Sequence, residues 1–257
     1  MFPLKDNLPT RNLPVVTILF IALNVIAYLV LQPKTGIDFS GDSLDQNALF
    51  HYAAVPYELT HLGEHCAVIR GGGAVRCAEG IGNGGIATVV TLFTAMFTHA
   101  GLLHLGGNML FLWIFGNNIE DSMGRVRFVA FYLLGGLAAT GLQVAIAPDE
   151  IVPTLGASGA VAGVLGGYIL LHPRAKVVTL VFVILFFTIL ELPAIVFLGI
   201  WFAQQALFGA LDLTSPAGDG GGVAYFAHIG GFAFGLLAIR LFARRHDDLT
   251  TPRSLAS

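Results

Sequence analysis

Charged side chains are scarce in this sequence. Asp, Glu, Lys and Arg supply 11% of its 257 residues, where a soluble domain carries about 25%. An excess of positive charge is also missing: the formal net charge is −3, which gives no reason to expect nucleic acid as a partner. No internal repeat is visible, and this argues against an inverted-repeat transporter. The opening MFPLKDNLPTRNL is too short and too mixed in charge for a transit peptide. No small-residue cleavage site follows it, so the first apolar run is expected to stay as a helix. What is abundant is apolar surface, at 55% of residues and a mean hydropathy of +0.77. The sequence reads as an all-α polytopic membrane protein in a lipid bilayer.

A spanning helix needs about 20 apolar residues. The runs 14–32, 104–122, 126–147 and 223–243 qualify, and the Gly-rich run TLGASGAVAGVLGGY (154–168) opens another over 158–171. The stretch 177–212 has room for one crossing or two, with Pro193 and Glu191 in its middle. Basic residues near helix ends collect on the cytoplasmic side. One crossing, with Lys5 and Arg11 inside, also puts Arg125, Arg127, Arg174, Lys176, Arg240, Arg244, Arg245 and Arg253 inside. Only Lys34, Arg70 and Arg76 then lie outside, in a long loop. Six helices with both termini cytoplasmic is the expected topology, with 193–212 as the fifth span. Residues 177–190 are expected as an apolar piece lying on or partly in the membrane surface.

The whole chain, 1–257, is expected to form one membrane domain with no separate soluble domain. Its first exoplasmic loop, about 33–98, holds Cys66 and Cys77. Two cysteines in an exoplasmic segment favour a disulfide, against the alternative of two free thiols. The short apolar pieces 47–59 and 86–97 cannot span and are assigned to the interface.

Polar side chains within a bilayer are costly and are functional candidates by default. HLGGN puts His104 and Asn108 four apart on one helical face. Ser158 opens the fourth helix, and AYFAHIGGFAFG carries His228 in the sixth. Six crossings bring all of these toward the outer ends of their spans; seven would send His228 to the other side. From Ser158 to Leu171 a helix covers about 21 Å. The hydrocarbon core is about 30 Å thick, so Ser158 is expected on the order of 10 Å below the outer surface. The preceding TLGA must then enter the membrane as irregular chain, which is tolerated only along a protein-walled, watered cavity.

Each group alone has a plainer reading. A lone Ser bonds its own helix. Gly163, Gly167, Gly231 and Gly235 form small-residue helix contacts, and His104 with Asn108 can bridge helices. His99, His104 and His228 are of metal-ligating type, but no carboxylate or cysteine falls at matching depth, so no metal and no cofactor are expected. Taken together, a hydroxyl, an imidazole base and a pair of donors at one depth are the parts of acyl transfer. No Asp stands ready as a third member, which leaves a Ser–His dyad.

At this point the sequence resembles the rhomboid family of intramembrane serine proteases. HLGGNMLFLWIFGNNIEDSMG is similar to the family's HxxxN second helix, GASGAVAGVLGGY to its GxSG fourth, and HIGGFAFG to its HxxGxxxG sixth. The opening DNLPTRNLPVVTILFIALNVIAY looks like a bacterial rhomboid first helix. The Trp-Arg pair common in the family's first loop is absent before TLFTAMFTH. The resemblance implies Ser158 as nucleophile, His228 as base, and His104, Asn108 and the Ser158 amide as oxyanion donors. It implies that Gly156 shapes the loop, and that Glu120 ties the second helix to the first loop. Single-span transmembrane proteins are the implied substrates, and a bacterial inner membrane the implied location. Inactive relatives that bind membrane proteins typically lose the Ser or the His; both are present here.

Overall fold

The computed structural model describes residues 1–31, 39, 46–69, 74–81, 87–183, 186–214 and 223–244. Lys34, Arg70, Arg245 and Arg253, and most of the segment joining the fifth and sixth expected spans, lie outside them. Helix ends follow the Pro and Gly punctuation. Pro14 and Pro193 stand directly before α1 (Val15–Ile26) and α9 (Ala194–Asp212), where a missing N–H costs nothing. Two short helices, α2 (Gln46–Tyr52) and α3 (Pro56–Thr60), follow α1, and α4 (Thr88–Thr94) comes next. Then α5 (Leu102–Phe111) continues through a π-turn, Leu112–Gly116, into α6 (Asn117–Met123). Gly124, at φ 84°, turns the chain from α6 into α7 (Arg125–Ile146); glycine occupies that region without strain. Last come α8 (Ser158–Leu171), α9 and α10 (Tyr225–Phe242).

Among the described residues three helices, α7, α9 and α10, are long and apolar enough to cross a membrane. A fourth candidate is the pair Thr88–Phe97 and Leu102–Met123, bent by 79°, while Val15–Val30 and Ser158–Leu171 are shorter apolar helices. The protein is mostly helical and polytopic, and the all-α expectation is corrected by two small sheets. In the first, β2 (Glu64–Val68) pairs antiparallel with β3 (Val75–Glu79), with Cys66 opposite Cys77 and their sulfurs bonded. In the second, β4 (Lys176–Val183) and β5 (Phe186–Pro193) form a hairpin, and β1 (Phe2–Asp6) adds to its β4 edge, Phe2 facing Leu180 and Asp6 facing Val177. The piece 177–190 is therefore a strand pair. Its run of β-branched and aromatic residues suits pleated pairing, and β1 supplies a partner that no local pattern announces. Its distal end leaves Phe182, Phe186, Phe187 and Ile189 exposed.

The core joins Phe20, Phe115, Phe128, Phe131, Tyr132 and Tyr168 from four segments, with Phe20 stacked on Tyr132 at 4.3 Å. α8 and α10 approach backbone to backbone. A Cβ on Gly231 would overlap the Gly159 carbonyl, and one on Gly235 the Gly163 carbonyl. The small-residue reading of these glycines thus describes a real seam, the kind that lets helices meet without side chains between them.

Contacts also sort the helix ends. Asp121, on α6, accepts from Arg11 N (2.9 Å) and Asn12 Nδ2 (2.6 Å). Tyr168, near the end of α8, donates to Asp6 at 2.6 Å, and Arg127 donates to the Phe242 carbonyl at 3.2 Å. The starts of α1 and α7 and the ends of α6, α8 and α10 therefore share one end of the bundle. Glu120 belongs there too: its oxygens accept from Val16 N (3.0 Å), Thr17 N (2.8 Å) and Thr17 Oγ1 (2.8 Å). This corrects its expected link to the first loop. The amides that α1 leaves unpaired in its first turn need an acceptor, and a distant carboxyl at a helix N-terminus also suits the helix dipole. Glu120→Ala would leave buried donors without partners at about 1–3 kcal/mol each. We expect the melting midpoint in detergent to fall by about 10 °C; a fall under about 2 °C would show that α1 does not depend on this cap.

Candidate functional site

At the opposite end, the chain between α7 and α8 runs as irregular backbone that is nonetheless held in place. Thr154 exchanges backbone hydrogen bonds with Ala54 at 2.8 and 2.9 Å, and Gly156 N donates to Ala95 O at 2.8 Å. Ala157 N donates to His99 Nε2 at 3.4 Å. TLGA is thus pinned to the residues before α5 and to the link between α2 and α3, and Thr154, Leu155 and Gly156 line a cavity of about 550 Å³ together with Ser158 and His228.

Ser158 is the first residue of α8, one past its N-cap Ala157, and its hydroxyl has a partner on another helix. That partner is His228: Nε2 lies 2.8 Å from Ser158 Oγ. The glycine seam explains the distance, since a bulkier α8–α10 contact would hold the two side chains apart. His104 and Asn108, from the first turns of α5, line the same cavity. His104 Nδ1 receives a long bond from Ala100 N at 3.4 Å, which leaves Nε2 as the nitrogen carrying hydrogen. Asn108 is buried, and its Nδ2 has no hydrogen-bond partner among the described residues. A buried amide left in that state costs about 1–3 kcal/mol, so it is a donor held ready for an acceptor. Gly156 has φ 114°, and a Cβ there would come within 2.7 Å of the His104 ring and 3.4 Å of Asn108 Nδ2. Only glycine lets the loop pass so close to both donors.

Six of the residues singled out from sequence therefore converge: Ser158, His228, His104, Asn108 and Gly156 around the cavity, with Gly231 in the seam that sets the spacing. Gly235 lies one turn further along that seam. Glu120 is at the other end of the bundle, and Cys66–Cys77 is in a sheet away from the cavity lining.

Two residues escaped the sequence reading. Gln205, on α9, lies with Oε1 2.8 Å from His228 Nδ1, and Gln143, on α7, accepts from Ala227 N at 3.2 Å. The signal was present. A strongly polar amide inside an apolar span is as costly as a histidine there, and the dipeptide Gln204–Gln205 carries that signal. The aromatic residues of α9 also divide. Trp201 and Phe202 pack on Phe232 of α10 at 6.0 and 4.5 Å, with Trp201 5.9 Å from the His228 ring, whereas Phe197 packs on Phe111 and Phe115.

The fold and the cavity define a polytopic membrane protein with a hydroxyl–imidazole pair set among buried donors. The Rhomboid domain signature matches residues 87–245: the chain belongs to the rhomboid family. It is 33% identical over 156 residues to Rhomboid protein 1, mitochondrial, of Saccharomyces cerevisiae, covering 59% of this chain and 41% of the yeast protein. It is 34% identical over 142 residues to Presenilin-associated rhomboid-like protein A, mitochondrial, of Danio rerio, covering 54% of this chain and 34% of the fish protein. To the human Presenilin-associated rhomboid-like protein, mitochondrial, it is 28% identical over 151 residues, 56% of this chain and 36% of that protein. The matched stretch thus spans well under half the length of these relatives. Their mitochondrial names overturn the expected bacterial inner membrane. That expectation rested on the apolar run of the first helix, and lipid-facing residues of this kind do not distinguish one membrane from another.

Proposed function

We propose that the chain is an intramembrane serine endopeptidase of a mitochondrial membrane. Ser158 attacks the scissile carbonyl, His228 accepts its proton and later delivers it to the leaving amine, and Asn108, His104 and the Ser158 amide hold the oxyanion. The observation that carries this reading is the 2.8 Å contact of His228 Nε2 with Ser158 Oγ beside the unpartnered Asn108 amide. A first-turn helix amide such as that of Ser158 has no internal partner, so it serves as a further donor. The test is exposure of the purified protein to a fluorophosphonate and peptide mapping. A covalent adduct on Ser158 is expected; a native protein that stays unlabelled there would overturn the reading.

Six crossings, by α1, α5–α6, α7, α8, α9 and α10, fit the sorting of helix ends described above. Lys5, Arg11, Arg125, Arg127, Arg174, Lys176, Arg240 and Arg244 then lie near one surface, which the positive-charge rule makes the inner one. The cavity opens at the other. The substrates proposed are single-span membrane proteins whose helix unwinds locally, because peptide groups already bonded within a helix must open before a serine can reach them.

A transmembrane substrate is too large for a water channel and must arrive sideways. Of α9's 19 residues only Ala194, Phe197, Leu198, Gln205 and Gly209 are buried, and its apolar window is 28% buried against 39% for α7 and α10. It is the helix that can swing with least loss of packing. A Cβ on Gly209 would lie 3.3 Å from Tyr225 Cβ, close to disulfide spacing. Gly209→Cys with Tyr225→Cys, once oxidised, should slow cleavage of a membrane-embedded substrate by tenfold or more, on the order seen for gating steps. Reductant should restore it, with the wild type under the same reductant controlling for Cys66–Cys77. Cleavage at an unchanged rate by the oxidised pair would exclude entry past α9.

A further inference from the structure

We propose that Gln205 is the positioning residue of the base and couples the seating of α9 to the reactivity of Ser158. The proposal rests on the protease reading above and adds to it a third side chain and a means of regulation. A carboxamide oxygen only accepts. With Gln205 Oε1 at 2.8 Å, the His228 proton belongs on Nδ1, and Nε2 presents its lone pair to Ser158 Oγ at 2.8 Å. That is the tautomer a general base requires. If the amide were reversed, its NH₂ would force the proton onto Nε2, and Ser158 would face a donor. An aspartate usually performs this orienting role, but an unpaired carboxylate within a span is costly; a neutral acceptor costs less and still selects the tautomer.

The placement of Gln205 is what makes it a regulator. His228 and Ser158 stand on α10 and α8, which are locked together by the glycine seam. Gln205 stands on α9, the least buried of the long helices, and is its one buried polar side chain. The bond to His228 is therefore the polar contact that joins the movable helix to the rigid pair. With α9 seated, the imidazole is held in its reactive form; with α9 displaced at this level, Nδ1 loses its acceptor. The enzyme is thus disarmed while it admits a substrate and rearmed when α9 returns. Gly209 lies one turn from Gln205 on the same face, so a tether there keeps Gln205 in place.

The test uses the rate of fluorophosphonate labelling beside cleavage of a transmembrane substrate. In labelling, the Ser158 Oγ–P bond forms, the P–F bond breaks, and the hydroxyl proton passes to His228 Nε2 before leaving with fluoride. Gln205→Leu removes the acceptor at similar volume. It should slow labelling and kcat by about ten- to a hundredfold with KM unchanged, and Gln205→Glu, which only accepts once ionised and is then paired with the His228 N–H, should recover most of the loss at a pH where that carboxyl is ionised. The oxidised Gly209→Cys/Tyr225→Cys protein should label at the wild-type rate or faster while cleaving the membrane substrate slowly. Labelling of Gln205→Leu at the wild-type rate would overturn the proposal, as would failure of Gln205→Glu to recover activity. A parallel fall of labelling and cleavage in the tethered protein would overturn the coupling to α9. Absence of any adduct on wild-type Ser158 is a separate outcome, which sinks the protease reading itself.

Discussion

Ser158→Ala should lower cleavage of a transmembrane substrate by at least about 10⁴-fold, and His228→Ala should be equally severe. The reason is that the two side chains act as one unit. Without Oγ there is no nucleophile, and without Nε2 the hydroxyl has no acceptor for its proton at 2.8 Å. Their effects should not add: the double variant is expected to match the worse single one. Both variants should fold. The helix N-cap is Ala157 rather than Ser158, and the α8–α10 seam is made by Gly159, Gly163, Gly231 and Gly235 rather than by Ser158 and His228. The measurement is cleavage in liposomes beside thermal unfolding in detergent. Residual activity within tenfold of wild type in Ser158→Ala, with native unfolding, would remove Ser158 from the chemistry.

Asn108→Ala should lower kcat by about 10²–10³ while leaving KM nearly unchanged. Its amide nitrogen is buried and without a partner among the described residues, so in the resting protein it stabilises nothing. The bond it can form becomes available only when a tetrahedral oxyanion sits among the donors, and an interaction made only in the transition state appears in kcat. Removing it also relieves a buried unsatisfied amide, so the variant should be as stable as the wild type or more so. A merely structural asparagine would show the opposite pattern, with lower stability and little change in kcat. His104→Ala is expected to cost less, because Asn108 and the Ser158 amide still face the same oxygen.

Much of the site was legible in the sequence because its signals are local. His104 and Asn108 are one helical turn apart, Ser158 opens the Gly-rich helix, and His228 lies within HIGGFAFG. The charge distribution, with six crossings expected, places these groups toward one end. Gln205 was not legible in the same way. Whether an amide on α9 faces lipid or His228 depends on the rotation of α9 about its axis, and the weak amphipathicity of an apolar span does not reveal that rotation.

The apolar runs, the break at Pro193 and the choice of candidate polar side chains came from sequence alone, since hydropathy and backbone stereochemistry act over a few residues. Tertiary structure decided the rest. It joined β1 to β4 across about 170 residues of chain, turning an apolar stretch into a sheet. It brought Glu120 to the first turn of α1, 104 residues away, and it set Gln205 on His228, 23 residues away. Each of these pairs satisfies a backbone or ring group whose need is visible locally but whose partner is not. The choice among distant acceptors is made only when the helices pack.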